Sequence, residues 1–214
     1  MNVFHVGARG NPVRGWGKEV TVIGFDADCN EADRLQKKYP NHKFFGETLG
    51  SDDGIHDLFI TESPACTSLL EPLPRNWEFA GRKGRAKVIK IEGVKTRTLD
   101  SWCKEHEIYP DFLKIDVQGY ELNILQGYKD INRVAGIETE VFFHYLYLGQ
   151  DLFYKTYRYL EQRGFGLYKL DQCLWNERLV FGDAVFLNPF HKHFDFFAKH
   201  YGVDGEMSVR WLKK

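Results

Sequence analysis

A chain of 214 residues, 43% hydrophobic, 15% aromatic and 28% charged, has the side chains for one packed core and is too short for two full domains. Its 29 Lys and Arg against 30 Asp and Glu leave a net charge of -1, which excludes an overall field drawing the protein to nucleic acid or an anionic membrane. No apolar run approaches the ~18 residues of a membrane span, no basic leader precedes an apolar stretch, and Cys29, Cys66, Cys103 and Cys173 form no C-x-x-C pair. The expectation is a cytoplasmic protein with reduced thiols.

Short runs rich in Val, Ile and Phe alternate with helix-like stretches, the pattern of an α/β fold on a largely parallel sheet. The first strand, residues 3–6, runs directly into Gly7-Ala8-Arg9-Gly10. Glycines there permit a sharp turn and a close approach of backbone N–H groups to an anionic or carboxylate-bearing ligand. Only nine residues, 11–19, lead to the next strand, too few for a full crossover helix. The first helix is therefore expected as one turn, with Asn11 as cap, Pro12 at its first position, Gly15 or Gly17 as terminator and Trp16 covering the sheet.

Residues 20–25 form the second strand and deliver Asp26 at its end, where a carboxylate can accept both ribose hydroxyls of an adenosine cofactor. A glycine turn followed by a helix cap at Asp26 or Asp28 would use the same residues without a ligand. A helix over 31–39 and a strand over 43–46 follow. Ser51-Asp52-Asp53-Gly54 is turn chemistry that opens a hairpin ahead of residues 57–61. Residues 62–85 then read as a long irregular stretch with three of the seven prolines, a lid, a binding loop or a disordered segment. Beyond it come helices over 99–106, 121–126, 152–163 and around 194–200, and strands over 112–115, 137–143, 166–170 and 184–187. The domain is expected to span 1–190, with a helical tail, 191–214, packed on it or extending from it.

Thr98-Leu99-Asp100-Ser101-Trp102, followed by Asp111-Phe112-Leu113-Lys114-Ile115-Asp116-Val117-Gln118-Gly119-Tyr120-Glu121-Leu122, resembles the FkbM-type S-adenosylmethionine-dependent methyltransferases. Gly24-Phe25-Asp26-Ala27-Asp28, Thr67-Ser68-Leu69-Leu70, Glu140-Val141-Phe142-Phe143 and the run from Tyr147 to Phe153 join the likeness, and Gly182 to Leu187 looks like the closing strand. The resemblance implies a Rossmann-like class I methyltransferase fold, a mainly parallel seven-stranded sheet with its last strand antiparallel. It implies methyl transfer from S-adenosyl-L-methionine to a hydroxyl of a small acceptor such as a sugar, glycan or secondary metabolite. By the same resemblance Gly7, Ala8 and Gly10 would line the methionine end of the cofactor, Asp26 the ribose, and Ser51 with Asp52 the adenine side, with Asp116 facing the methyl-transfer centre. The family usually has Asp where this chain has His5 and Asn where it has Arg9; in such a variant Arg9 would pair with the cofactor carboxylate.

A hydroxyl acceptor needs somewhere for its proton to go, and Asp116, Glu140 and His144 fall at or just beyond the ends of adjacent strands. His144 has the intrinsic pKa of a base near neutrality, although a strand-end histidine also serves merely to bond its neighbours. Asp116 has the competing role of capping the turn into Glu121. Tyr120, Phe143, Tyr145 and Tyr147 could stack on a sugar or aromatic acceptor, or pack the core. Arg82, Lys83, Arg85, Lys87 and Lys90 could meet a phosphate-bearing acceptor or form a solvated charge run. His191 and His193 lack a third ligand motif, so no metal is expected. Two other classes remain: a non-catalytic cofactor-binding or regulatory protein of the same fold, and a nicotinamide-dependent oxidoreductase. The second is disfavoured because Gly7 and Gly10 lack the G-x-G-x-x-G spacing.

Overall fold

The structure, a computed structural model, describes residues 1–203. Strand β1 (Asn2–Val6) is buried on both faces, as an apolar strand in the middle of a covered parallel sheet must be. It lies parallel between β2 (Thr21–Phe25) and β7 (Phe112–Ile115), with His5 flanked by Gly24 on one side and Lys114 on the other. The seven-stranded sheet ends at β3 (Lys43–Phe45) beside β2, and extends past β7 through β8 (Gly136–Phe142), β10 (Arg178–Leu187) and β9 (Gly166–Trp175). Strand β10, the last among the described residues, runs antiparallel to both neighbours, so the expected Rossmann-like sheet is the one observed.

The β9–β10 hairpin is longer than its sequence signal. Asn176 and Glu177 close it with φ of 46° and 63°, the two left-handed residues of a tight primed turn, and no glycine announced it. The strand opening after Ser51 does not pair across that turn; its partner comes after the 62–85 stretch. Strands β4 (Thr48–Leu49), β5 (Gly54–Thr61) and β6 (Val88–Arg97) form a separate three-stranded sheet in the order β4-β6-β5. Lys90, Glu92 and Lys95 give β6 the composition of a charged surface run, which hid it from sequence reading.

Helix α1 (Cys29–Lys38) starts at Asp28, whose side chain accepts the Asn30 N–H, and α3 (Leu99–His106) starts at Thr98, which does the same for Ser101. From α3, Trp102 packs edge-on against Phe4 and Phe25, at centroid distances of 5.4 and 4.9 Å, covering one sheet face with α4 (Glu121–Gln126) and α5 (Phe153–Glu161). The other face is covered by α1 and by α6 (Phe194–His200), whose Phe197 stacks on Phe112 at 4.5 Å.

The one-turn helix expected after the glycine loop does not form. Residues 11–16 make successive turns, with the Arg14 N–H on the Asn11 carbonyl and the Trp16 N–H on the Val13 carbonyl, both at 3.2 Å. Trp16 does cover the sheet, lying on Phe112 and stacking on His200 at 4.0 Å. Nor is 62–85 irregular throughout. It holds a 3-10 turn at Pro64–Cys66 and helix α2 (Pro74–Phe79), anchored by Trp77, which is buried against Tyr147. Of the expected tail, residues 204–214 lie outside the described residues, while α6 packs on the sheet. No helix among the described residues is long and apolar enough to cross a membrane, and the four cysteines are free thiols.

Candidate active site

Gly7 leaves β1 at φ 80°, and its N–H and that of Ala8 both donate to the Phe25 carbonyl at 2.9 Å. A Cβ on Gly7 would stand 1.8 Å from the Asp116 carbonyl oxygen, so the turn is built against the end of β7 and only glycine fits. The loop's far end is held by α1: Gly10 donates to Glu31 at 3.0 Å and accepts from Arg34 at 3.2 Å. Beside this loop lies a cleft of about 520 Å³, within the usual range for small-molecule sites. Its walls come from the ends of β2 and β7, the 3-10 turn at Pro64–Cys66, and the inner face of the small sheet through Leu58, Ile60, Glu92 and Val94.

Asp26 lies at the cleft where β2 ends, with its side chain only 6% exposed. Its Oδ1 accepts the Asp28 N–H at 2.8 Å and Arg9 Nη2 at 3.0 Å, and its Oδ2 pairs with Arg9 Nε at 3.0 Å. Burial raises the Asp26 pKa, against the opposing pull of the Asp28 N–H and the guanidinium. Arg9 also reaches Asp28 at 3.3 Å, so its guanidinium is engaged by two carboxylates of its own chain.

Asp116 opens onto the cleft at the end of β7, while the protein packed around its other sides pushes its pKa up. The chain then turns through Gln118 and Gly119 at φ 60° and 99°. Gln118 Nε2 donates to Asp116 Oδ1 at 2.8 Å and to Glu140 Oε2 at 2.9 Å. Glu121 is buried below this turn and accepts the N–H groups of Val117 and Gly119 at 3.1 and 3.0 Å. Burial lifts Glu121 to about 8, and burial together with the Asp116 and Glu121 carboxylates lifts Glu140 well above the ordinary carboxylate range.

These raised carboxyls set a pH dependence. A carboxyl with a higher pKa folded than unfolded binds more protons in the folded state, so its stabilisation is present at low pH and lost as pH rises toward the folded value. His5, held neutral with a pKa of about 3 by burial and by Lys114, has the opposite slope between pH 3 and 6.5. Above pH 6.5 the carboxyls act alone, and stability should fall toward pH 8 by at most about 2 kcal/mol per proton. Thermal melts across that interval should show a shallower fall in Glu121→Gln than in the wild type; equal slopes would place the protons elsewhere.

The remaining candidates divide. Ser51 Oγ lies 2.8 Å from Asp52 and 3.0 Å from the hydroxyl of Tyr120, which lines the cleft, while Asp52 turns to His56 at 3.2 Å. His5 is buried beside the Pro12 backbone with Nδ1 unpartnered, and it does not line the cleft. His144 is exposed and sits edge-on to Phe79 at 6.0 Å, outside the cleft lining. Tyr147 is buried, Phe143 packs on Phe153, and Tyr145 is exposed. The basic cluster is dispersed: Arg82 stacks on Phe181, Arg85 bonds Ser63, and Lys83 and Lys90 pair with Glu78 and Glu92. His193 lies 3.8 Å from Asp111. Sequence reasoning did not single out Gln118 as a site residue. Its signal was an amide set between an aspartate and a glycine in Asp116-Val117-Gln118-Gly119.

A family model described as the methyltransferase FkbM domain matches residues 5–167. No curated protein matches the chain. Similar solved structures include a TehB-like SAM-dependent methyltransferase from Corynebacterium glutamicum, 13% identical, covering 87% of this chain and 79% of that one with a TM-score of 0.41. Another is the magnesium protoporphyrin IX methyltransferase ChlM of Synechocystis with bound SAM, 11% identical over 86% and 68% of the two chains, TM-score 0.41. A third is the methyltransferase domain of bacterial CtHen1, 11% identical over 87% and 89%, TM-score 0.41.

Proposed function

The chain belongs to the FkbM methyltransferase family, and from that premise we propose that it transfers a methyl group from S-adenosyl-L-methionine to a hydroxyl of a small acceptor, with Asp116 receiving the hydroxyl proton. The cofactor supplies an electrophilic methyl group on a sulfonium, which leaves alignment and proton removal to the protein. The cradle formed by Gly7 against the Asp116 carbonyl supports the reading, because it brings the cofactor loop and the proton acceptor into backbone contact. In this proposal Gly7, Ala8 and Gly10 hold the methionine end and Asp26 the ribose, with Ser51, Asp52 and Tyr120 on the adenine side. The carboxylate of Asp26 and the open side of the cleft suit a cationic, adenosine-bearing group.

Asp116 takes the proton in place of His144, which stands outside the cleft. Glu140, joined to Asp116 through Gln118, has its pKa raised well above the ordinary carboxylate range by burial and by the neighbouring carboxylates, which favours its protonated form. The acceptor is a hydroxylated molecule, a sugar, glycan or secondary metabolite, met in the cytoplasm. The other reading, a cofactor-binding protein of the same fold without turnover, would show cofactor binding and no methylated product.

Calorimetric titration with S-adenosylmethionine, S-adenosylhomocysteine and NAD tests the cofactor, and detection of a methylated product separates the enzyme from a cofactor-binding protein without turnover. With a methylated product in hand, Asp116→Asn should lower turnover about a hundredfold, the scale of general acid–base catalysis. S-adenosylhomocysteine affinity should stay within a few-fold. An equal loss of both would make Asp116 a cofactor ligand instead.

A further inference from the structure

We propose that Gln118 is a positioning residue for the methyl-transfer site: its amide fixes the Asp116 carboxylate for the acceptor by tying it to Glu140. The proposal rests on the reading of Asp116 as proton acceptor. The side-chain amide has two N–H bonds, and each is given to a different carboxyl group, Asp116 Oδ1 at 2.8 Å and Glu140 Oε2 at 2.9 Å. Those two acids come from neighbouring parallel strands, β7 and β8, whose ends would otherwise set two like charges side by side.

The orientation of the amide is settled by what surrounds it. The Asp116 carboxylate, as an anion, can receive only its NH2 end, and its Oε1 lies 3.2 Å from the Tyr147 hydroxyl, which can donate to it. That hydroxyl also stands 3.1 Å from the Cys66 carbonyl, in the 3-10 turn that walls the cleft, and Tyr147 itself is wholly buried. A rigid chain of contacts thus runs from the cleft wall through Tyr147 and Gln118 to Asp116. Gln118 holds this place at φ 60°, a left-handed backbone that a residue other than glycine adopts only when its surroundings impose it.

The consequence for the reaction is one of proton placement. With Oδ1 already accepting from Gln118, Oδ2 of Asp116 is the freer oxygen for the acceptor. With S-adenosylmethionine bound, the acceptor oxygen would bond to the methyl carbon, the electron pair of the broken S–CH3 bond would stay on sulfur, and Oδ2 would receive the hydroxyl proton. The charges facing Asp116 are Lys114 and Glu138 from β7 and β8, Glu121 from α4, Glu140 from β8 and Asp183 from β10, with Arg82 beside Glu140. Among them Gln118 makes the direct hydrogen bond that favours the Asp116 anion.

Gln118→Met keeps the side-chain length and removes both N–H bonds. Carboxyl carbon NMR of protein labelled at Asp, with Asp116 assigned from Asp116→Asn, should show the Asp116 titration midpoint rise by about one pH unit in Gln118→Met. Calorimetric affinity for S-adenosylhomocysteine should stay within three-fold. Tyr147→Phe, which releases the amide without removing it, should produce a smaller shift in the same direction and covers the case in which Gln118→Met does not fold. An unmoved Asp116 midpoint in the variants overturns the proposal. So does a shift accompanied by loss of S-adenosylhomocysteine binding, which would make Gln118 part of the cofactor loop. Failure of the wild type to bind S-adenosylhomocysteine would instead strike the cofactor reading, leaving the NMR result to judge Gln118.

Discussion

Gly7→Ala is expected to destabilise the protein by about 3 kcal/mol or more and to abolish measurable binding of S-adenosylhomocysteine. Two costs add. The residue sits at φ 80°, where an L side chain is strained, and its new Cβ would fall 1.8 Å from a backbone oxygen of Asp116, which cannot swing aside as a side chain would. Relief requires β1 and β7 to separate at their ends, where the Asp116 N–H is bonded to the Val6 carbonyl at 3.0 Å. Gly10→Ala is the control: it also has positive φ, 68°, but nothing lies within 4 Å of the added carbon, so it carries the backbone strain alone. Denaturant unfolding and calorimetry on the two variants should rank them clearly. Equal effects would show that the contact with Asp116 does not shape the site.

Asp26→Ala should weaken S-adenosylhomocysteine binding by ten- to a hundred-fold, the equivalent of about 1.5–3 kcal/mol for charged hydrogen bonds to a ribose. Arg9 complicates the route to that interaction. A carboxylate offers roughly four acceptor positions. The Asp28 N–H and two contacts from Arg9 already take three of them, so a ribose diol needing two must displace part of the guanidinium. Arg9→Met should therefore raise affinity several-fold, and wild-type affinity should rise with added salt, because the Arg9 side chain is one-third exposed and its ion pair is screened. Weaker binding in Arg9→Met would mean instead that Arg9 orients Asp26 for the cofactor. Unchanged affinity in Asp26→Ala would remove Asp26 from the site altogether.

The parts legible in the sequence were those with a short-range signature. Short apolar runs rich in Val, Ile and Phe marked the central strands, and Asp28, one of two cap residues offered there, does cap α1. The strand-end positions of Asp26 and Asp116 could be placed because a parallel sheet delivers such residues to one edge. What could not be read was the direction of individual side chains. His5 lies one residue before Val6 of the cleft and is buried instead beside Pro12, since successive strand residues face opposite sides. His144 is two residues past the end of β8, beyond the point where strand alternation fixes direction, and it turns out to solvent. Arg9 was expected to meet a ligand's charge, whereas the carboxylates of Asp26 and Asp28 supply a partner within the chain.

The stacking of Trp16 on His200 has a bearing on how the protein is made. In a chain where a helix follows the first strand, the covering of that strand is local and forms soon after the strand leaves the ribosome. Here the residues beside Trp16, Phe197, His200 and Tyr201, come from α6 and the position just after it, at the opposite end of the described sequence. The back of β1, and with it the support for the turns behind the glycine loop, closes only once those residues have been synthesised. Contacts of such long range slow folding and leave the Phe112 face exposed in the growing chain. The glycine loop is thus translated well before the helix that completes its backing.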